Sequence, residues 1–436
     1  MNSALLEGLG GPAGRYARRS GIWFNPVPWS LLVATALFVV CALRHLPCIY
    51  SAGRNRADAF IMLCYSDVPL AWNGSGFAVG RHPFDGGQLL YPPLLGLLLL
   101  GTILLARGLG APVADSSAEP PAQLDGVQAF FIIWMVVLFA CFLVWVLCQS
   151  LLGRDSRGGR RHTWDGMWVA ASPVVLAAGL ISWDLFAGGI LANTADMQVV
   201  TAIILRGWAR QVGRFLVPAA VAIVLLHLPL LIQDWGAVAG FYQGELTKNL
   251  SYGSLFYLGH LFGWEVRAAG SLGLMLTALL LAVLVSWLYL RGHKPRVGTL
   301  VALFVFPTVL FGATYTPQTA LWLLLALLLA RPGRVEQVAF TLTQLIYWAA
   351  IWGYLAGHLN SNTNIYFAAI LLRIGVEIWI FFACLRDVTS PSGDALRTPD
   401  VADPVGGVLN SVGKPSGESA QTQASPPALE VSSRGS

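Results

Sequence analysis

Two carboxylates, Asp58 and Asp67, stand nine residues apart in the polar stretch Ala57-Asp58-Ala59-Phe60-Ile61-Met62-Leu63-Cys64-Tyr65-Ser66-Asp67-Val68-Pro69, with long apolar runs on both sides. The stretch continues into glycines and basic groups, Gly74-Ser75-Gly76-Phe77-Ala78-Val79-Gly80-Arg81-His82-Pro83-Phe84-Asp85-Gly86-Gly87. A carboxylate placed where an apolar chain meets water is equipped to accept a proton. The composition of this stretch is that of a site at a membrane face. Plainer roles are open as well: Asp67, two residues before Pro69, suits a helix N-cap, and Asp58 an ordinary interfacial charge. A second polar group lies at 234–266, where Asp234, Trp235, Glu245, Lys248, Tyr252, Tyr257 and His260 mix aromatic and polar side chains as an interface-lying binding surface does. Two short polar connections follow, one at Thr314-Tyr315-Thr316-Pro317-Gln318 and one at 358–364, which begins with His358. His260 and His358 are lone histidines, open to a part in proton transfer or to none.

These segments are positioned by a chain written for lipid. Of its 436 residues, 56% are hydrophobic and 11% charged, and the mean hydropathy is +0.64. Soluble domains carry roughly 25% charged residues, so an ordinary soluble fold is excluded. The apolar runs are continuous rather than alternating, which implies helices and not a barrel. The expected fold is all-α and polytopic, with about ten to eleven transmembrane helices. Apolar stretches at 29–46, 89–106, 127–152, 167–181, 215–232, 268–290, 298–313, 318–330, 337–356 and 365–385 account for ten. Residues 50–88 and 234–266 form large outer loops, the first with short interfacial helices at its glycines and prolines.

Arg15, Arg18 and Arg19 against Glu7 place the segment 1–25 in the cytoplasm. Ten spans then bring both termini inside, together with the basic connections near Arg206, Arg291 and Arg331. Arg154, Arg157, Arg160, Arg161 and His162 are the one basic loop that falls outside under this count; a full crossing at 186–205 would make eleven spans and put the tail outside. Under ten spans every polar outer segment faces one side, where a shared cavity is expected. From Asp387 onward, serine, proline, glycine and acidic residues predominate, so 387–436 is expected to be a disordered cytoplasmic tail. The net charge of +5 sits in short loops and reads as topology, not as nucleic-acid binding. No zinc or disulfide framework is legible among the six cysteines, but Cys48 and Cys64 flank the first polar loop and would pair if that loop is extracytoplasmic. No cofactor motif is present, and a divalent cation is compatible with the chain.

Several pieces occur in a familiar order: Cys64-Tyr65-Ser66-Asp67-Val68-Pro69, then Gly80-Arg81-His82-Pro83-Phe84, then Leu90-Tyr91-Pro92-Pro93. Ser182-Trp183-Asp184-Leu185, Ser251-Tyr252-Gly253-Ser254-Leu255-Phe256-Tyr257, and Thr316-Pro317-Gln318 leading into Leu321-Trp322-Leu323-Leu324 follow. Together, across most of residues 20–390, they resemble the multispanning GT-C glycosyltransferases, specifically family 87 and its polyprenyl-phosphate-mannose-dependent relatives. The resemblance implies that a sugar, usually mannose, is carried on a polyprenyl phosphate at the outer face of the plasma membrane. It is passed with inversion to a hydroxyl of a lipid-linked or glycan acceptor. An acidic residue of the first outer loop would be the general base, a position that Asp67 matches, with Asp58 as the other choice. The departing lipid phosphate needs cations, for which Arg81, His82 and Lys248 are candidates. Tyr91, Tyr252, His260 and Gln318 would line the substrate cavity. The chain departs from the pattern at Leu90, where relatives carry an acidic residue, and between Asn193 and Arg214, where one helix has no counterpart.

Two other classes fit the same composition. One is a lipid or glycolipid transporter or flippase, although no internal repeat is visible and the polar residues sit in outer loops rather than at mid-membrane. The other is a degenerate, non-catalytic member acting as a partner in a cell-envelope complex. The sequence does not specify the oligomeric state.

Overall fold

In the computed structural model the described residues are 26–51, 56–83, 91–113, 126–152, 164–186, 201, 209–359, 363–391, 394 and 396. Among them there is no strand, and the chain is all-helical. In order the helices are α1 (Pro26–Ser51), α2 (Arg56–Ile61), α3 (Asp67–Gly74), α4 (Pro93–Gly108), α5 (Val127–Leu152), α6 (Gly166–Ala170) and α7 (Pro173–Ala178). Then come α8 (Ala209–Thr247), α9 (Ala269–Leu290), α10 (Val297–Leu310), α11 (Ala320–Ala330), α12 (Arg334–Leu355) and α13 (Thr363–Thr389). Short 3-10 turns occupy Phe77–Val79, Leu255–Phe262 and Pro317–Thr319. Helix therefore falls in each of the ten stretches that the apolar runs mark. Among the described residues five helices are long and apolar enough to cross a membrane: Pro26–Ile49, Val127–Ser150, Ala269–Leu290, Arg334–Leu355 and Thr363–Thr389.

The pattern of burial shows why these helices pack as they do. α5 buries Phe130, Trp134, Leu138 and Phe142 at four-residue spacing and exposes Ile132, Val136 and Val144 on other faces. Both its faces are apolar, as a helix between a core and lipid requires. α9 likewise exposes Leu274, Met275, Leu279 and Val283. In α10 every residue from Val297 to Pro307 is buried, which makes it a central helix, wrapped by α11 and α13. An N-terminal group, α1 with α5, α6 and α7, meets a C-terminal group, α10 to α13, where α7 packs on α11 and α12.

Three features differ from expectation. The outer connection at 234–266 is partly helical, because α8 runs on to Thr247 after a break at Asp234. The Asp234 carboxylate accepts from the Ala237 amide at 2.9 Å and so caps the second half of the helix. Charge is also found inside the bundle: Arg373 and Glu377 on α13, 1% and 2% exposed, pair at 3.1 Å. Side chains four apart on a helix are neighbours, so each charge neutralises the other in place. Finally, α13 passes Asp387 and ends at Thr389, and Asp394 pairs with buried Arg296 at 2.6 Å. Arg331 joins Glu336 and Asp387 at the same end of the bundle.

Candidate functional site

The opposite end of the bundle gathers the loops that carry the chemistry. Cys48, near the end of α1, is disulfide-bonded to Cys64, with the Cα atoms 5.7 Å apart. This bond ties the start of the Cys64–Asp67 segment to the bundle. Phe60 and Tyr65 stack on each other and tilt against Trp352 of α12, with centroids 4.7 to 5.6 Å apart. The Asp67 amide then donates to the Ile181 carbonyl at 2.6 Å. The first residue of α3 is therefore fixed against the segment that follows α7.

That segment holds the second carboxylate, Asp184. The Asp67 Oδ1 accepts from the Tyr65 hydroxyl at 2.8 Å, and Ser182 hydrogen-bonds both Asp67 and Asp184. The Asp184 Oδ1 accepts from Trp322 Nε1 at 2.7 Å, across 138 residues of chain. Burial raises the Asp67 carboxyl above its ordinary range, and the hydrogen bonds from Tyr65 and Ser182 pull it back. Burial likewise pushes Asp184 up to about 6, with Trp322 pulling down and the Asp67 charge pushing up. Asp184 thus feels the charge of Asp67, and among the described residues both carboxylates are met by neutral donors, an arrangement equipped to accept a proton.

No family model, curated protein or solved structure matches the chain. The site is accordingly read from its own geometry.

Of the residues marked in the sequence, the structure brings Tyr91 to this centre. Its hydroxyl lies 3.5 Å from Ser75 Oγ and its ring meets Trp183 edge-on at 5.2 Å. Gln318 stands one turn before Trp322, with its Oε1 buried and without a hydrogen-bond partner. Asp58 is exposed in the first turn of α2. Arg81 is exposed: its stem covers Gly76, and its carbonyl accepts from Arg107 at 3.3 Å. His82, next to it, is half-buried. Lys248 makes a surface pair with Glu245 at 3.3 Å. Tyr252 and His260 lie together on another part of this end, through rings shared with Tyr257 at 5.7 and 4.9 Å. The Tyr257 and Tyr354 hydroxyls are 3.2 Å apart, which joins this aromatic group to the end of α12.

A buried clamp holds the 251–257 segment. Arg373 donates to the Gly253 carbonyl at 2.7 Å and lies 3.4 Å over the Tyr315 ring. The Tyr315 amide donates to the Tyr252 carbonyl, and the Tyr347 hydroxyl to the Tyr315 carbonyl. Gly253 has a φ of 72°, and a Cβ there would collide with the Tyr347 hydroxyl and the Tyr315 carbonyl. Only glycine fits.

Sequence reasoning missed Asp184 as the second carboxylate and Trp322 as its donor. It also missed Arg44, the one arginine within the apolar run of α1, where an ionisable residue is itself an indication of function. The family-pattern helix without a counterpart at 193–214 falls mostly outside the described residues, as does the basic loop at 154–162. Among the described residues no cluster of three or more His, Cys, Asp or Glu side chains is placed to hold a metal ion.

Proposed function

We propose that this chain is a GT-C-type glycosyltransferase of about ten spans that moves a sugar, mannose by its resemblance, from a polyprenyl phosphate to a glycolipid or glycan acceptor on the extracytoplasmic side. The observation that carries the reading is the Asp67 carboxylate, oriented by Tyr65 and set beside Asp184 where the loops of an apolar bundle converge. The Cys48–Cys64 bond supports the proposed side, because disulfides persist in oxidising compartments.

Asp67 takes the proton of an acceptor hydroxyl while that oxygen attacks the anomeric carbon. The bond from this carbon to the phosphate oxygen breaks, its electron pair leaves with the polyprenyl phosphate, and the configuration inverts. Burial makes Asp67 a stronger base than a solvated carboxylate. At neutral pH Asp184, with its pKa pushed up to about 6, is mostly ionised and offers its charge to the cationic character that develops at the sugar.

The test uses purified protein with polyprenyl-phosphate mannose and candidate glycolipid acceptors. Asp67→Ala is expected to cut transfer by about 10²–10⁴-fold, while Asp58→Ala leaves it within a few-fold. Transfer that survives Asp67→Ala removes the assigned base. Lipid movement across liposomes without transfer replaces the reading with a flippase.

A further inference from the structure

We infer that Arg44 is the anion-binding group of this site and seats a phosphate group beside the carboxylate-bearing segment. The choice of a lipid-borne phosphate rests on the transferase reading; the anion site itself rests on the geometry. Arg44 projects from α1, and its Nη2 donates to the Ala177 carbonyl, at the end of α7, at 3.0 Å. Four residues further along the same segment, the Ile181 carbonyl accepts from the Asp67 amide. Two more links hold the registration: His45 hydrogen-bonds the Tyr65 backbone, and Cys48, one turn beyond Arg44, is bonded to Cys64. Arg44 and the base therefore hang from one short stretch of chain.

The guanidinium is charged but not neutralised. No carboxylate pairs with it among the described residues; it lies 5.7 Å from the Trp348 ring centroid, and its Nε is buried without a hydrogen-bond partner. A half-buried cation without a counter-ion is costly in an apolar bundle, and that cost falls when an anion arrives from outside. The planar guanidinium presents paired N–H donors that match phosphate oxygens. Access is lateral: Val40, one turn before Arg44 on the same side of α1, and Leu43, the next residue round the helix, are 53% and 59% exposed. A phosphate whose attached chain lies in the bilayer can reach the guanidinium from this flank without crossing water.

Binding to the purified full chain in nanodiscs is measured with three probes, a polyprenyl monophosphate, the matching polyprenol and inorganic phosphate, with no sugar donor and no acceptor present. Arg44→Gln keeps a donor for the Ala177 carbonyl and removes the charge, whereas Arg44→Lys keeps the charge and removes the fork. Wild type is expected to prefer the polyprenyl phosphate to the polyprenol. Arg44→Gln weakens phosphate binding about tenfold or more, Arg44→Lys weakens it less, and polyprenol binding is unchanged. Inorganic phosphate bound as tightly, with the same dependence on Arg44, upholds the anion site and assigns it to free phosphate. Equal affinity of wild type and Arg44→Gln for both phosphates overturns the inference, as does failure of wild type to discriminate phosphate from alcohol. Because no transfer is measured, binding that depends on Arg44 in a protein without transferase activity sinks the proposed function and leaves this site standing.

Discussion

Asp67 with Asp184, and Glu377 with Arg373, are two carboxylate centres held in opposite ways. Asp67 and Asp184 receive hydrogen bonds from Tyr65, Ser182 and Trp322, all neutral donors. Glu377 receives Arg373 at 3.1 Å and Gln344 at 3.1 Å, and Arg373 in turn holds the Gly253 carbonyl and the Tyr315 ring. Where a cation is supplied from within, the carboxylate is neutralised and its partner becomes a clamp. Where neutral donors are supplied, no cation pairs with the carboxylates among the described residues, and Arg44 pairs with no carboxylate there either. One centre is held by an internal ion pair; the other is held by neutral donors among the described residues.

The difference can be tested at three strengths. The largest effect is expected from Glu377→Ala, which strands Arg373 in the bundle and lowers unfolding stability by about 3–5 kcal/mol. A loss below about 1 kcal/mol in denaturant titration would mean that the pair is not the clamp. Next, Cys48→Ser with Cys64→Ser opens a loop whose ends are 16 residues apart. It should cost about 3 kcal/mol, with faster hydrogen exchange at 56–67 and unchanged exchange at 251–257. Equal acceleration at both segments would show that the two centres are not mechanically separate. The smallest effect belongs to Asp184→Asn. Because the folded pKa of Asp184 lies above its ordinary value, its proton favours the folded state at low pH, and that stability is lost as pH rises from 3.8 through about 6. Asp184→Asn should remove this step and gain on the order of 1 kcal/mol at pH 7. It also removes a negative neighbour of Asp67, so the acid limb of transfer should move to lower pH. An unchanged limb would uncouple the two carboxylates.

The helices were legible because apolar runs of span length leave few other readings, and every expected stretch holds helix. Asp67 was legible through its motif in a polar interruption. Its partners were not, since the Asp184 contact with Trp322 joins residues 138 apart and the Arg44 contact with Ala177 joins residues 133 apart. Hydropathy averaging hid Arg373 and Glu377: two opposite charges one turn apart hardly alter the mean of a 27-residue apolar helix. Their spacing was the available indication. The helix beyond Asp234 was hidden differently, because a run rich in aromatic and polar groups resembles a loop until its capping carboxylate is recognised.

The clamp on Gly253 also sets an order of events during synthesis. The guanidinium that grips this carbonyl is made 120 residues later, in α13. Tyr315 and Tyr347, which close around the same glycine, also emerge after it. Chains are made from the N-terminus, and early segments wait for late partners. The anchoring of the 251–257 segment is therefore complete only once α13 is in place, and a chain that stops short of α13 carries an unfinished surface there.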